Sequence, residues 1–563
     1  MAINKKLIHF KEKADFVNEV ANNNILDHSI VFIQDSKEIS THGTVYKTVN
    51  WSVLKGKPDY MRIVALEDGL TVSFTNPLEY SLDKTTWQSL PANTQTPAIN
   101  KDQYVSFRAN NLTPTYSSGI GTFSIDKQCD LKGNCMSLLF GDDSVDKNDL
   151  TGYNFAFNKL FYNQSNIKSV DPGFLPATTL AEGCYNQMFY GCTGLTTTPK
   201  LPAASLTSNC YYQMFYGCTG LITAPELPAT TLATGCYNGM LRGCTGLTTA
   251  PELPATTLAN NCYSSMFRGC TGLTTVSELP ATTLASSCYD SMFYGCTNLT
   301  TVPTILPATT LANKCYYQMF YGCTNLTTAP ELPATTLASS CYYSMFQGCK
   351  GLTTTPELSA TDLADSCYYL MFNNCTNLTA APELPATTLA YSCYNQMFSG
   401  CTGLTIAPEL PATTLANSCY VNMFSGCANL TTAPTILPAT TLAYSCYSAM
   451  FYSCSSLTTA PELPATTLDS ACYQNMFFYC KSLTTAPVLP ATTLVDNCYD
   501  GMFEGCTKLN YIKALFTTTP GLSYTNKWVS GVSSTGTFVK SKDATWDVAG
   551  NNGVPTNWTV EVA

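Results

Sequence analysis

At 563 residues the chain is too long for one ordinary hydrophobic core, so several domains or a repeat array are expected. Charged residues make up 12% of it and apolar residues 45%, the opposite of the balance that leaves a chain disordered. A formal charge of -10 without basic clusters excludes nucleic acid as a partner, and no run of eighteen apolar residues is present to encode a membrane span.

The opening residues Met1-Ala2-Ile3-Asn4-Lys5-Lys6 offer neither an apolar run nor a leader cleavage site, so synthesis and folding in a cytosol are expected. Phe10 to Val20 has the spacing of a short amphipathic helix, and Ser29 to Ile33 reads as a strand between polar residues. Residues 1–57 are thus a small α+β segment. Within it, Ile8-His9-Phe10-Lys11, Ile25-Leu26-Asp27, Ser29-Ile30-Val31-Phe32-Ile33 and Thr41-His42-Gly43 together resemble the N-terminal segment of tail-fibre and other virion proteins of Bacteroides phages, crAss-like or similar. That resemblance implies attachment to other virion proteins; a plain structural cap is the simpler reading.

Residues 58–128 alternate as a β-sandwich-like domain does, with strand candidates at Leu70 to Phe74, Leu78 to Leu82 and Tyr104 to Phe107. It is read as a spacer, with a carbohydrate-binding-like module as the alternative. Cys129 and Cys135 flank the turn signal Lys132-Gly133-Asn134, which would allow a hairpin disulfide, but two unpaired thiols are expected in a cytosolic product. Residues 129–172 form a linker and N-terminal cap: Leu160 to Ile167 echoes the repeats that follow, with Ala156 and Gln164 in place of their cysteines.

From 173 to 510 the chain repeats. One cysteine column runs from Cys184 to Cys498 and a second, eight residues behind, from Cys192 to Cys506. The period is 26, lengthened to 27 where Thr304-Ile305-Leu306 and Thr435-Ile436-Leu437 intervene. The Leu-Thr-Thr segment before each proline predicts a short strand. The following stretch, wound at 100° per residue, gathers Leu180, Cys184, Tyr185, Met188, Phe189 and Cys192 on one face, which predicts an α-helix with the varied residues outward. A strand and helix cannot bury their apolar faces alone, but stacked units can; thirteen would make a rod of about 60 Å. Residues 511–563 carry Trp528, Trp546 and Trp558, absent from the array, and form a β-rich C-terminal cap.

The core Met-Phe-x-Gly-Cys-Thr-x-Leu resembles the BspA-type leucine-rich repeat over about 160–512, departing by Met before Phe, an added cysteine and a longer period. These departures touch packing and hence curvature. The fold class is therefore an α/β repeat solenoid of about 13 units of 26–27 residues, preceded by the small α+β anchor and the β-sandwich-like domain.

Chemistry is scarce in this array. Cysteines eight apart lie about 12 Å apart on a helix, too far to share zinc, so a reduced, buried thiol ladder is expected, with no metal and no cofactor. The only histidines are His9, His28 and His42, and no phosphate-binding glycine loop follows a strand, so no enzyme is expected. Glu226, Glu252, Glu278, Glu331, Glu357, Glu383, Glu409 and Glu462 form a column, read as a solvated edge with calcium bridging as the second reading. The binding candidates are outward tyrosines: Tyr190, Tyr212, Tyr216, Tyr294, Tyr317, Tyr321, Tyr343, Tyr369, Tyr391, Tyr444 and Tyr452. The plain alternative is drift on a tolerant solvent face.

These readings converge on a virion appendage, a fibre on tail or head. It would be assembled in the host cytoplasm, exposed on the particle and display its solenoid to a host-surface glycan or protein, as a monomer or a homo-oligomer. A bacterial cell-surface leucine-rich repeat adhesin is the alternative.

Overall fold

The computed structural model describes residues 58–563 in full and, within residues 1–57, only the backbone of four strands. Two compact units divide the chain. In the first, β1 (Leu7–Phe10), β2 (Ile30–Ile33), β3 (Glu38–Thr41) and β4 (Thr44–Tyr46) form one sheet in chain order, with β1 parallel to β2 and the other pairs antiparallel. The expected strand at Ser29 to Ile33 is β2. Of the expected helix, Phe10 ends β1 and the remainder lies outside the described residues.

The second unit holds Tyr60–Gly141 and Lys147–Ala563. It begins with β5 (Met61–Ala65), β6 (Val72–Phe74), β7 (Leu78–Ser81), β8 (Gln88–Leu90), β9 (Tyr104–Arg108), β10 (Phe123–Ile125) and β11 (Cys129–Lys132). Alternate burial along β5, with Met61, Ile63 and Ala65 inward, is the period-2 signature of a half-buried strand. β6 pairs with β10, while the larger sheet runs β11-β5-β9-β7-β8 and gains β12 (Ile167–Val170) beside β11 in parallel. The β domain and the first coil therefore share one sheet. They share a core as well: Phe123 packs on Phe74 and Phe107 at 4.5 and 5.1 Å and stacks on Phe161 at 5.4 Å.

The half of each unit expected to be an α-helix is not one. Its backbone is a run of overlapping four-residue turns. The N–H groups of Cys184, Asn186, Met188, Tyr190 and Cys192 each close a turn on the carbonyl three residues back, at 3.0–3.3 Å. Between them, the N–H groups of Gly183, Tyr185, Gln187, Phe189 and Gly191 donate to Ser208, Cys210, Tyr212, Met214 and Tyr216 of the next coil, at 2.7–3.0 Å. Half the donors thus act locally and half join neighbouring coils, which leaves this buried backbone satisfied. An α-helix would consume nearly all of them internally. The geometry also demands a left-handed residue every fourth position, seen at Gly183, Gln187 and Gly191 with φ of 57°, 52° and 71°. Glycine takes that conformation without a Cβ penalty. Where Gln, Asn or Ser stands there instead, a cost of roughly 1 kcal/mol is met by the ladder bonds.

The expected Leu-Thr-Thr strands are also shorter than predicted. They make isolated parallel bridges such as Thr249 with Thr275 and Thr275 with Thr301. The proline that follows in most units has no N–H to continue a ladder; Ser277 stands in its place after Thr275.

Inside, identical residues stack on identical residues. Tyrosines from Tyr185 to Tyr499 form an unbroken buried file with ring centroids 5.6–5.9 Å apart. A phenylalanine file runs beside it, interrupted at Leu241 and continuous from Phe267 to Phe503. All 28 cysteines are free and buried. The second column makes the shorter bonds: Cys192, Cys218 and Cys244 donate their thiol hydrogens to the carbonyls of Phe161, Phe189 and Phe215 in the preceding coil at 3.1 Å, whereas Cys262 and Cys419 of the first column reach carbonyls of the next coil at 4.0 and 3.9 Å. Burial pushes the thiols up, to about 12 for Cys192, Cys349 and Cys506.

The same ladder extends beyond the cysteine-bearing units. Phe157, Lys159 and Phe161 donate to Cys184, Asn186 and Met188, so the degenerate segment at Leu160 to Ile167 forms a coil of the same kind. At the other end β13 (Tyr511–Ala514), β14 (Thr537–Lys540) and β15 (Thr559–Val562) make a parallel sheet. Trp528 closes the interior, wholly buried, with its indole N–H bonded to the Gly553 carbonyl at 2.9 Å. The indoles of Trp546 and Trp558 likewise donate to Phe516 and Ser533.

Candidate binding surface

The four-residue turn rhythm decides what faces solvent. In most coils the first cysteine and the tyrosine after it point inward, the next two residues outward, then Met and Phe (Leu241 in one coil) inward, then two outward again; Ser291, Ser344, Asn373 and Asn395 are buried exceptions at the outward positions. Two outward columns carry most of the candidate tyrosines. Six residues after the first cysteine stand Tyr190, Tyr216, Tyr294, Tyr321 and Tyr452; two residues after it stand Tyr212, Tyr317, Tyr343 and Tyr369. These nine are half-buried, whereas Tyr391 and Tyr444, two residues before the cysteine, are 54% and 50% exposed.

The rings are not separate platforms. Tyr190 stacks on Tyr162 and Tyr216 at 4.8 and 4.4 Å, Tyr294 on Tyr321 at 4.4 Å, Tyr343 on Tyr317 and Tyr369 at 4.7 Å, and Tyr452 on Phe478 at 4.7 Å. Each stacked face is covered by its neighbour, so these columns offer solvent their ring edges and hydroxyls. The surface is suited to hydrogen bonding from a rigid row more than to stacking a sugar on an open ring. Burial first, then the hydroxyl of the adjacent ring, raise Tyr190 and Tyr321 above the ordinary tyrosine range. Tyr317 is raised by burial and then by Asp290.

Two outward residues not singled out from the sequence belong to this surface. Arg242 and Arg268 occupy the same column as Tyr216 and Tyr294, and each guanidinium lies over one of those rings, at 5.4 and 4.0 Å from the centroid. The column thus reads Tyr162, Tyr190, Tyr216, Arg242, Arg268, Tyr294, Tyr321 across successive coils. The signal was present in the sequence as a shared spacing from the first cysteine, hidden because two residue types share the column.

Elsewhere on the coil, the Pro-Glu-x-Pro corners of neighbouring units line shallow grooves. One of 590 Å³ has Pro356, Glu357, Pro382 and Glu383 in its walls; another of 450 Å³ has Glu226 and Glu252. The glutamates are exposed, and among the described residues no group of three or more His, Cys, Asp or Glu side chains is placed to hold a metal ion. The two 27-residue units have a purpose here. Thr435 donates its N–H and hydroxyl to the Glu409 carboxylate at 3.1 and 2.9 Å, and Thr304 meets Glu278 likewise at 3.3 Å. Of the three histidines, His9 lies in β1 and the others fall outside the described residues.

A family model for the BspA type leucine-rich repeat region matches 249–379, 318–458 and 419–520, in six copies. Residues 249–520 carry BspA-type leucine-rich repeats. In these repeats the phenylalanine and second cysteine of the pattern are the buried pair joined by the thiol-to-carbonyl bond, as at Cys323 on Phe293 and Cys349 on Phe320. A solved structure of a leucine-rich repeat protein from Bacteroides ovatus is similar at 16% identity, over 67% of this chain and 86% of its own, with a TM-score of 0.38. No curated protein matches the chain.

Proposed function

We propose that this leucine-rich repeat protein is a non-catalytic display scaffold whose outward columns bind a host-cell surface, carried on a phage particle by residues 1–57. One observation carries the binding half of this reading. The interior files repeat the same few residues, whereas the outward columns hold Tyr, Arg, Asn, Ser, Gln and Asp on a backbone braced by ladder bonds between coils. Rigid aromatic edges mixed with small polar groups bind at low entropic cost, because little has to be ordered on contact. The particle half rests on the resemblance of the N-terminal segment to phage virion proteins.

Mass spectrometry and electron microscopy of purified particles test it. The expected result is the chain in the particle, and its loss from particles when residues 1–57 are removed while the repeats stay folded. Recovery of the chain on bacterial cells and not on particles makes it a cell-surface adhesin using the same face.

A further inference from the structure

We infer that Arg242 and Arg268 form an oxyanion-binding notch on the outward face, and that its ligand is an acidic polysaccharide. The inference rests on the binding reading above and names the ligand class for one part of that face.

The chain has a formal charge of -10, and only two arginines fall within its repeats. Both are placed in neighbouring coils at the same column position, so two like charges stand one coil apart, about 5 Å. In water that repulsion costs roughly 1 kcal/mol, and Asp290 is the carboxylate within electrostatic range of Arg268. Among the described residues neither guanidinium makes an ion pair or a hydrogen bond; their recorded contacts are the rings of Tyr216 and Tyr294. A guanidinium over an aromatic face keeps its N–H donors available to a further acceptor.

The neighbouring column provides the room. Between Tyr212 and Tyr317 it carries the small side chains of Asn238, Ser264 and Asp290. Asp290 is the acidic member: it accepts a hydrogen bond from the Ser291 hydroxyl at 2.7 Å and lies within electrostatic range of Arg268 and Lys314. The outward face here thus sets the amide, hydroxyl and carboxylate groups of Asn238, Ser264 and Asp290 beside the two guanidinium forks, with tyrosines in the coils to either side. Carboxylate or sulfate groups accept bidentate bonds from such forks, and sugar hydroxyls suit the remaining donors and acceptors. A polymer that repeats its charge along the stack would bridge both arginines and cancel their repulsion.

Affinity electrophoresis of the full chain in gels containing polygalacturonate, dextran sulfate, poly-glutamate or neutral dextran tests this. Retardation is expected in the two acidic polysaccharides and not in dextran, although the net charge opposes it. Arg242→Gln with Arg268→Gln should weaken retardation by about tenfold or more, the lysine pair less, and Lys481→Gln not at all. Unchanged retardation in the double glutamine variant overturns the inference, as does retardation by poly-glutamate alone, which would assign the face to acidic peptides. Binding to whole Bacteroides cells separates the two readings. If the native chain and the double variant bind equally, the notch fails and the surface-binding function stands; if the native chain binds neither cells nor polymers, both fail.

Discussion

Raising the pH should dismantle the repeats through their thiols. Burial lifts Cys349, Cys393 and Cys427 from an ordinary 9.0 to about 12, and the other cysteines are raised for the same first reason. Below pH 9.0 the folded and unfolded chains both hold these protons. Above it the unfolded chain releases them and the folded chain does not, so stability that is intact at low pH drains away until pH passes about 12. At pH 10 the loss is about 1.4 kcal/mol per thiol, or about 3 kcal/mol for a coil with two. A 26-residue coil has a net stability of only about 1–4 kcal/mol, so the two quantities meet near pH 10. Circular dichroism and thiolate absorbance, followed together under reductant without oxygen, should change in one transition between about pH 9 and 10.5. Thiolate signal appearing near pH 9 with the fold unchanged would refute the reasoning, because it would mean that the thiols ionise in place. A native spectrum persisting to pH 12 would refute it equally.

Other perturbations have definite outcomes. The hydroxyl of Tyr263 is buried without a hydrogen-bond partner, so Tyr263→Phe should stabilise by about 1–2 kcal/mol in urea unfolding, and a loss of stability would reveal a partner for that hydroxyl. Excising residues 341–366, one 26-residue period, should leave a folded chain, because Tyr316 and Tyr368 then meet as Tyr316 and Tyr342 do now at 5.8 Å; collapse would contradict nearest-neighbour stacking. Trp528→Ala should cost about 3–5 kcal/mol and expose the last coils first, read as faster hydrogen exchange after Cys498 than before Cys341.

Much of the interior was legible because it repeats. The columns of Cys, Tyr, Met and Phe could be assigned to the core without coordinates, and each is buried from Cys184 to Cys506. The conformation joining them was not legible. Apolar pairs recurring every four residues fit a helix wheel of 3.6 almost as well over the nine residues from Cys184 to Cys192, and the drift between the two periods is less than one residue there. The left-handed positions were an unread clue: glycine recurs seven residues after the first cysteine, from Gly191 to Gly505, but Gln187 and Ser291 share the same backbone and disguise the rhythm.

The candidate surface divides in the same way. That the outward columns hold tyrosine follows from spacing alone. That Tyr190 and Tyr216 cover one another's faces, and that Arg242 and Arg268 stand unpaired between rings, follows only from the stacking of residues 26 apart. Sequence by itself determined a repeat array with a thiol-rich, aromatic interior, because burial selects residue type position by position. The tertiary structure decided whether the backbone closes on itself or on the next coil. Local propensity cannot express that choice, since the bonds between coils exist only once two coils lie side by side.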